Sequence, residues 1–307
     1  MSTTLTLIHA ISSHIELHYQ DRPLVRYVYA PATEARESPR PYFHPLFTLA
    51  GNMVTIFRPH DHPWHHGLAM TCAHLSGQNF WGGPTYVRGR GYVPLENNGQ
   101  IVHQDWETLS SDHGGLRMIE RLTWITAAGE TWLTERRSIA VTVIDPAEGY
   151  WVLDLAFALT NVAGRRLEFG SPTTEGRPMA GYGGLFWRGP RSFTGGTILA
   201  SGGLEGPAVM GQAAPWLAFI GRHDGSGDTS TIVFADHPTN PRYPTKWFVR
   251  TEPYACASCS FMFDEILPLE PGDRLDLRYR VIVADGGWAP ERIEERIHAH
   301  PGNWGGL

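Results

Sequence analysis

Short runs rich in β-branched and aromatic residues, each closed by Gly, Pro, Asn or Asp, recur along almost the whole chain, and this punctuation constrains the fold more than any other feature. The runs predicted as strands are 24–29, 52–57, 116–126, 131–143, 151–159, 216–220, 231–235, 260–263 and 274–283. Asn161, Gly164 and Asp145-Pro146 supply turn chemistry between paired strands. With 34 Gly and 23 Pro the chain is a poor helix former, and with 11% aromatic residues it is too apolar to stay disordered. One helix is predicted near the C-terminus, where Pro290 opens a run with Ile293 and Ile297 on one face and the rest reads as a solvated cap. The expectation is an all-β fold: a large antiparallel β-sandwich with a short C-terminal helix, as a single domain over residues 1–307.

Charge and cysteine usage exclude several classes. The balance of 25 Lys and Arg against 31 Asp and Glu gives −6, without the basic footprint of a nucleic-acid binder. Residues 1–20 have neither a basic region nor a long apolar run, so no secretory leader is expected. No stretch approaches the length of a membrane span. Cys72, Cys256 and Cys259 cannot build a disulfide framework, and Cys256-Ala-Ser-Cys259 lacks the second pair of a Cys₄ zinc site. A cytoplasmic protein without nucleic-acid or membrane partners is predicted. Lys246 is the sole lysine, hence the only side-chain amine.

Three segments could carry chemistry. Arg58-Pro59-His60-Asp61-His62-Pro63-Trp64-His65-His66-Gly67 places four of the 15 histidines within seven positions of a Pro- and Gly-marked loop. Imidazoles gathered there suit proton transfer near neutral pH. Alternatively, His60 and His62, two apart, would point the same way if extended, and with His66, His65 or His44 could supply three metal ligands. A divalent metal is therefore possible, although no cofactor is required by the sequence. The second segment runs from Thr174-Glu175-Gly176-Arg177 to Gly181-Tyr182-Gly183-Gly184-Leu185-Phe186-Trp187-Arg188. Its glycines allow close backbone approach, and its aromatics offer flat faces for the C–H side of a sugar ring. The third, from Asp236-His237-Pro238-Thr239-Asn240-Pro241 to Lys246 and Arg250, is a proline-stiffened loop before a strand. Trp81, in Asn79-Phe80-Trp81-Gly82-Gly83, is a further sugar platform.

Together these blocks resemble a bacterial family that goes under the label PmoA. The resemblance rests on Phe43-His44-Pro45-Leu46-Phe47, Asp61-His62-Pro63-Trp64-His65-His66-Gly67-Leu68, Asp236-His237-Pro238 to Arg250, and Pro253-Tyr254-Ala255-Cys256 to Phe263-Asp264-Glu265, covering about residues 22–285. That family commonly reads Asp-His-Pro-His-His-Arg-Gly in the second block; this chain departs at Trp64 and His66, so Asp61, His62, His65 and Gly67 carry over. The methane monooxygenase role in the label does not suit a chain without a membrane span. What the resemblance implies instead is a galactose-mutarotase-like supersandwich acting in sugar or keto-sugar catabolism.

The combined expectation is a carbohydrate-active enzyme whose partner is a small sugar. His62, His65 and Glu175 are expected to be catalytic. His44, Arg58, Trp64, Trp81, Tyr182, Trp187, Arg188, His237, Asn240 and Lys246 are expected to bind substrate, and His60, His62 and His66 are the candidate metal ligands. The expected reaction is cleavage of a glycosidic C–O bond in an oxidised (keto-) glycoside by elimination. Aldose 1-epimerisation and non-catalytic sugar binding are the alternatives.

Overall fold

The computed structural model of the protein describes residues 5–112 and 115–300, together with 304 and 306. Alternation of apolar and polar residues builds two large antiparallel sheets. The front sheet runs, in spatial order, Leu5–Ala10, His14–Tyr19, Arg22–Val28, Tyr42–Leu46, Leu68–Leu75, Gly184–Arg188, Cys256–Ser260 and Lys246–Arg250, with Gln78–Phe80, Leu167–Gly170 and Leu267–Leu269 branching off. The back sheet runs Leu204–Glu205, Thr197–Ala200, Trp216–Arg222, Thr229–Asp236, Arg274–Asp285, Tyr150–Asn161, Thr131–Asp145, Gly115–Ile125 and Gln100–Asp112. Thr85–Val87 and Gly91–Val93 form a small separate hairpin.

Each strand presents alternate side chains to opposite faces. Leu68, Met70, Leu185, Trp187, Trp247, Val249, Ala257 and Cys259 of the front sheet meet Leu153, Leu155, Phe157, Leu277 and Val281 of the back sheet in one core. The intervening Phe186, Phe248 and Cys256 face outward and join Trp81, Tyr182 and Phe263 in a separate cluster. The front sheet therefore has a second, aromatic face that needs its own cover.

The all-β sandwich agrees with the sequence reading, and three local details correct it. Residues 52–57 form no strand; the segment makes only the isolated bridges Phe47–Met53 and Phe57–His66. The strand expected at 260–263 lies earlier, at Cys256–Ser260, so the C-x-x-C pair is itself strand. Its odd spacing puts Cys259 in the core and Cys256 on the outer face, which rules out a local redox pair. The helix Pro290–His298 is more than a solvated cap, because Ile293 and Ile297 pack with Trp288 on Tyr150, Val152 and Trp216 and cover the back sheet.

The glycine-rich segment that masks a strand in the sequence is Gly184–Arg188, in the middle of the front sheet. Gly184 has φ +75°, and a Cβ there would collide with the Cys259 carbonyl of the neighbouring strand. Its register also corrects an expected substrate contact. Trp187 points into the sandwich, fully buried, with Nε1 donating to the Val54 carbonyl (2.8 Å) and its ring against Phe219 and Phe234. Trp187→Ala should therefore cost about 3–5 kcal/mol of stability, the usual range for emptying a large aromatic core site. Urea unfolding would read this as a lowered midpoint at unchanged slope, and a loss under about 1 kcal/mol would contradict the core placement.

Candidate functional site

The floor of the site is two cross-strand rows on the outer face of the front sheet. Register pairs Arg188 with Cys256 and Cys256 with Arg250; two residues along it pairs Phe186 with Ser258 and Ser258 with Phe248. Loops roof these rows and enclose a cavity of about 320 Å³, at the small end of the ~300–1,000 Å³ typical of small-molecule sites. Trp64, Trp81, Tyr182, Phe186, Phe248 and Tyr254 make its walls largely aromatic, while His62, His65, Arg177, Arg250 and Tyr92 bring polar atoms to it. A larger groove of about 530 Å³ lies elsewhere, beside His9, His103 and Trp106. There His103 is tied to the buried Glu120 (2.7 Å), and none of the expected site residues lines the groove.

The histidine loop is held at its neck and shaped by consecutive turns. Its ends meet where Arg58 N donates to the His65 carbonyl (3.0 Å) and Gly67 N to the Ile56 carbonyl (3.0 Å). Gly67 has φ +54°, and a Cβ would strike the Phe43 carbonyl, so only glycine lets the loop lie this close to the sheet. Within it, His62 N reaches the Pro59 carbonyl and His65 N the His62 carbonyl. That turn geometry, rather than an extended path, decides which imidazoles meet. His62 and His65, three apart, stack with ring centroids 4.6 Å apart and 15° between planes. Trp64 packs over Gly82 and Gly83: a Cβ on Gly83 would displace the indole, and one on Gly82 would strike the Glu37 carbonyl. Asn79 sets the adjoining turn by accepting from Trp81 N and Gly82 N, both 2.8 Å.

Hydrogen bonding fixes the tautomer of each stacked histidine. Arg188 is 1% exposed, and its guanidinium donates to His65 Nδ1 (2.8 Å) and to Asp61 Oδ2 (2.9 Å) while Tyr254 covers it at 3.8 Å. Since a guanidinium only donates, Nδ1 of His65 accepts and its proton sits on Nε2. Asp61 also takes His62 Nδ1 (3.1 Å); a carboxylate only accepts, so His62 Nδ1 carries the proton and Nε2 the lone pair. One ring thus offers an acceptor and its neighbour a donor.

Electrostatics hold both rings in this state. Burial pushes the His65 pKa well below 6.5, helped by the charges of His62, Arg188 and Arg40. Burial also lowers His62, Arg188 and Arg250 add to the effect, and Asp61 opposes it. Burial alone would raise the Asp61 carboxyl, but its hydrogen bonds from Arg188 and His62 outweigh that and bring it down to about 2. Near neutral pH the site holds an ionised aspartate, a cationic arginine and two uncharged imidazoles.

Of the residues expected from the sequence, His62, His65, Trp64, Trp81 and Tyr182 line the cavity, and Arg188 lies just behind it. Glu175 does not reach it; its carboxylate faces His74 at 3.7 Å. His44 is turned to Thr55 Oγ1 (2.9 Å), where burial and the Arg26 charge bring its pKa to about 4. Arg58 forks onto Glu37 (2.8 and 3.0 Å). His237 rests on Thr239 and Trp304, and Asn240 ties Asp236 to the Arg278 carbonyl, both in a self-bonded loop away from the cavity. Lys246 pairs with Asp264 (2.5 Å). The candidate metal ligands separate: His60 lies exposed beside Arg191, His62 is in the cavity wall, and His66 is buried against Glu37 (3.1 Å). Among the described residues no three His, Cys, Asp or Glu side chains are placed to hold a metal ion.

Sequence reasoning missed Arg177, Arg250, Tyr254, Tyr92 and the positioning role of Asp61. Arg250 and Tyr254 stood within the blocks that carry the family resemblance. The outward parity of Phe248 and Arg250 could have been read once a strand was placed there. Tyr92 comes from a hairpin, Gly91–Val93, with no chemical signal.

A sequence model of a family described as of unknown function, DUF6807, matches residues 14–298. No curated protein matches the chain. Among solved structures it is similar to an α-galactosidase from Lactobacillus brevis at 9% identity, over 93% of this chain and 40% of that one, with a TM-score of 0.39. It is also similar to a polysaccharide lyase at 12% identity, over 93% and 33%, with a TM-score of 0.34. A Glycoside Hydrolase Family 97 enzyme from Pseudoalteromonas sp. strain K8 matches at 7% identity, over 92% and 34%, with a TM-score of 0.28. The chain spans two fifths or less of each of these, and likeness at such scores carries no argument about activity. Among the described residues, no helix is long and apolar enough to cross a membrane.

The depressed histidines set a pH dependence of stability. His65, His66 and His44 all have folded pKa values lowered chiefly by burial. Below 6.5 the unfolded chain takes up protons that the folded chain refuses, so stability is complete above that pH and falls as pH drops. Denaturation midpoints between pH 7.5 and 5 should decline on acidification, and His65→Gln should flatten the slope. An unchanged slope in that variant would contradict a neutral, buried His65.

Proposed function

Because the chain belongs to DUF6807, a family whose description assigns no activity, its function has to be argued from this cavity, and we propose that the protein is a carbohydrate-active enzyme that cleaves a glycosidic C–O bond of a keto-glycoside by elimination. The observation that carries the reading is the stacked pair His62 and His65, whose free ring nitrogens are an acceptor and a donor on one wall of an aromatic cavity. Flat Trp81, Tyr182 and Tyr254 faces suit the apolar C–H side of a pyranose.

In this reading His62 Nε2 removes the proton from the carbon beside the sugar carbonyl, which the carbonyl acidifies. The C–H electrons form an enolate, and its collapse makes a C=C bond while the C–O bond at the next carbon breaks. The departing oxygen regains the proton from His62, so the base ends as it began. His65 stays neutral throughout. Its Nε2–H donates to the enolate oxygen, a role that uses a hydrogen bond and not proton loss, since giving up that proton would leave an imidazolate. Asp61 and Arg188 hold the two rings in these tautomers. General-base help is worth about 10²–10⁴ in rate and an oxyanion donor about 10²–10³.

Hydrolysis by paired carboxylates fits less well. Among the described residues no Asp or Glu lines the cavity, and Asp61 behind it is committed to Arg188 and His62. Epimerisation, with Glu175 as partner to a histidine, loses support because Glu175 faces His74.

The test is to follow a 3-keto-glucoside and the plain glucoside by NMR with the purified protein. Release of the aglycone from the keto compound alone is the expected result. His62→Gln should slow it at least a hundredfold and His65→Gln by about 10²–10³, each with normal folding. Cleavage of the plain glucoside, anomer exchange alone, or saturable binding without turnover would replace elimination with hydrolysis, mutarotation or sugar binding respectively.

A further inference from the structure

We infer that the sugar taken by this cavity carries an anionic group, and that Arg250, with Arg177 in the same lining, is its receptor. The inference rests on the reading of the cavity as a sugar site and adds the charge of the substrate. It begins with the row Arg188, Cys256, Arg250 on the front sheet. The two arginines flank one strand, so their backbones are about 9–10 Å apart. Both face the same side, yet they are treated differently.

Arg188 is paired with Asp61 and His65 through its two terminal nitrogens and covered by the Tyr254 ring. Arg250 lines the cavity, and among the described residues no carboxylate pairs with it; its guanidinium lies over the Phe248 ring at 5.4 Å. Arg177 likewise has no carboxylate partner among the described residues. It lies over the Tyr92 ring (4.9 Å) and donates to the Tyr92 hydroxyl, which is bonded to Tyr182 at 2.9 Å. Several arginines elsewhere, Arg26, Arg121, Arg136, Arg137 and Arg280 among them, hold a carboxylate within 2.7 Å; what sets Arg250 and Arg177 apart from other arginines without one is that both line the same cavity. An acidic chain with net charge −6 has left two guanidiniums without a carboxylate among the described residues in the cavity that holds the stacked histidines.

Guanidinium geometry matches carboxylate and phosphate oxygens in pairs, and a water-poor aromatic surround strengthens such a contact. Neutral hydroxyls would leave both positive charges unmet. An anion within one ring's reach of the stacked histidines would meet them, so a uronate-type carboxylate or a sugar phosphate is the ligand chemistry.

The test is calorimetric binding of methyl β-glucuronide, glucose 6-phosphate and methyl β-glucoside to the whole protein at low salt. The expected result is that at least one anionic sugar binds tenfold or more tighter than the glucoside, with the preference shrinking as salt is raised. The glucuronide and the phosphate identify which anion is meant. Arg250→Gln should weaken the anionic sugar about tenfold to a hundredfold and the glucoside far less, with an unchanged urea-unfolding midpoint reporting an intact fold. Arg250→Lys should recover only part, since it keeps the charge and loses the fork. Equal binding of charged and neutral sugars, or an Arg250→Gln variant that keeps the preference, overturns the inference while the sugar site stands. Failure of all three to bind removes the sugar site and the inference with it.

Discussion

The site depends on one buried charge. Arg188 projects from the middle of the front sheet toward the cavity, and its guanidinium is out of water. Breaking one side of such a buried pair costs about 3–5 kcal/mol, so the surrounding loops have to bring it partners. Asp61 and His65 come from the histidine loop, and Tyr254 comes from the segment before Cys256–Ser260. Through this one residue the sheet fixes where the loop sits, which way His65 is protonated and, by way of Asp61, which nitrogen of His62 stays free.

The same loop contains a second buried network that does different work. Glu37, fully buried, takes both the Arg58 fork and His66 Nε2, while Arg40 reaches the Trp64 carbonyl from beneath (2.8 Å). Adjacent histidines thus have opposite fates. His65 turns to the cavity, and His66 bridges to Glu37 on the other side, as successive residues leaving a turn must. A dense run of imidazoles resembles a metal site in one dimension, but here His66 anchors the loop, His62 and His65 face the cavity and His60 lies exposed.

Cover on both outer faces completes the fold. A two-layer sandwich leaves each sheet with an unpaired face, and an aromatic outer face is costly in water. On the back sheet the short helix Pro290–His298 closes it with Ile293. On the front sheet loops close it incompletely, and the gap they leave is the cavity. The aromatic lining is therefore a packing solution and, in the proposed function, also the binding surface.

Strand periodicity and turn residues determine the all-β class, the C-terminal helix and the turn-rich nature of the histidine loop, because period-two burial and turn chemistry are local properties. His62, His65, Trp64, Trp81 and Tyr182 were legible for the same reason: each lies in a short segment whose composition is unusual for the chain. What the sequence could not decide was parity and register. Trp187 and Arg188 are neighbours in a glycine-rich stretch, and only its register against Cys256–Ser260 sends the first into the core and the second toward the cavity. Glu175, His237, Asn240 and Lys246 carry suitable chemistry, yet the loops holding the first three and the strand end holding Lys246 turn it to His74, Trp304, Asp236 and Asp264. Arg177 and Arg250 are ordinary arginines among 24 until two segments more than seventy residues apart fold over the same aromatic floor. Residue type is set by the chain, whereas convergence is set by long-range strand pairing, which single-sequence patterns do not encode.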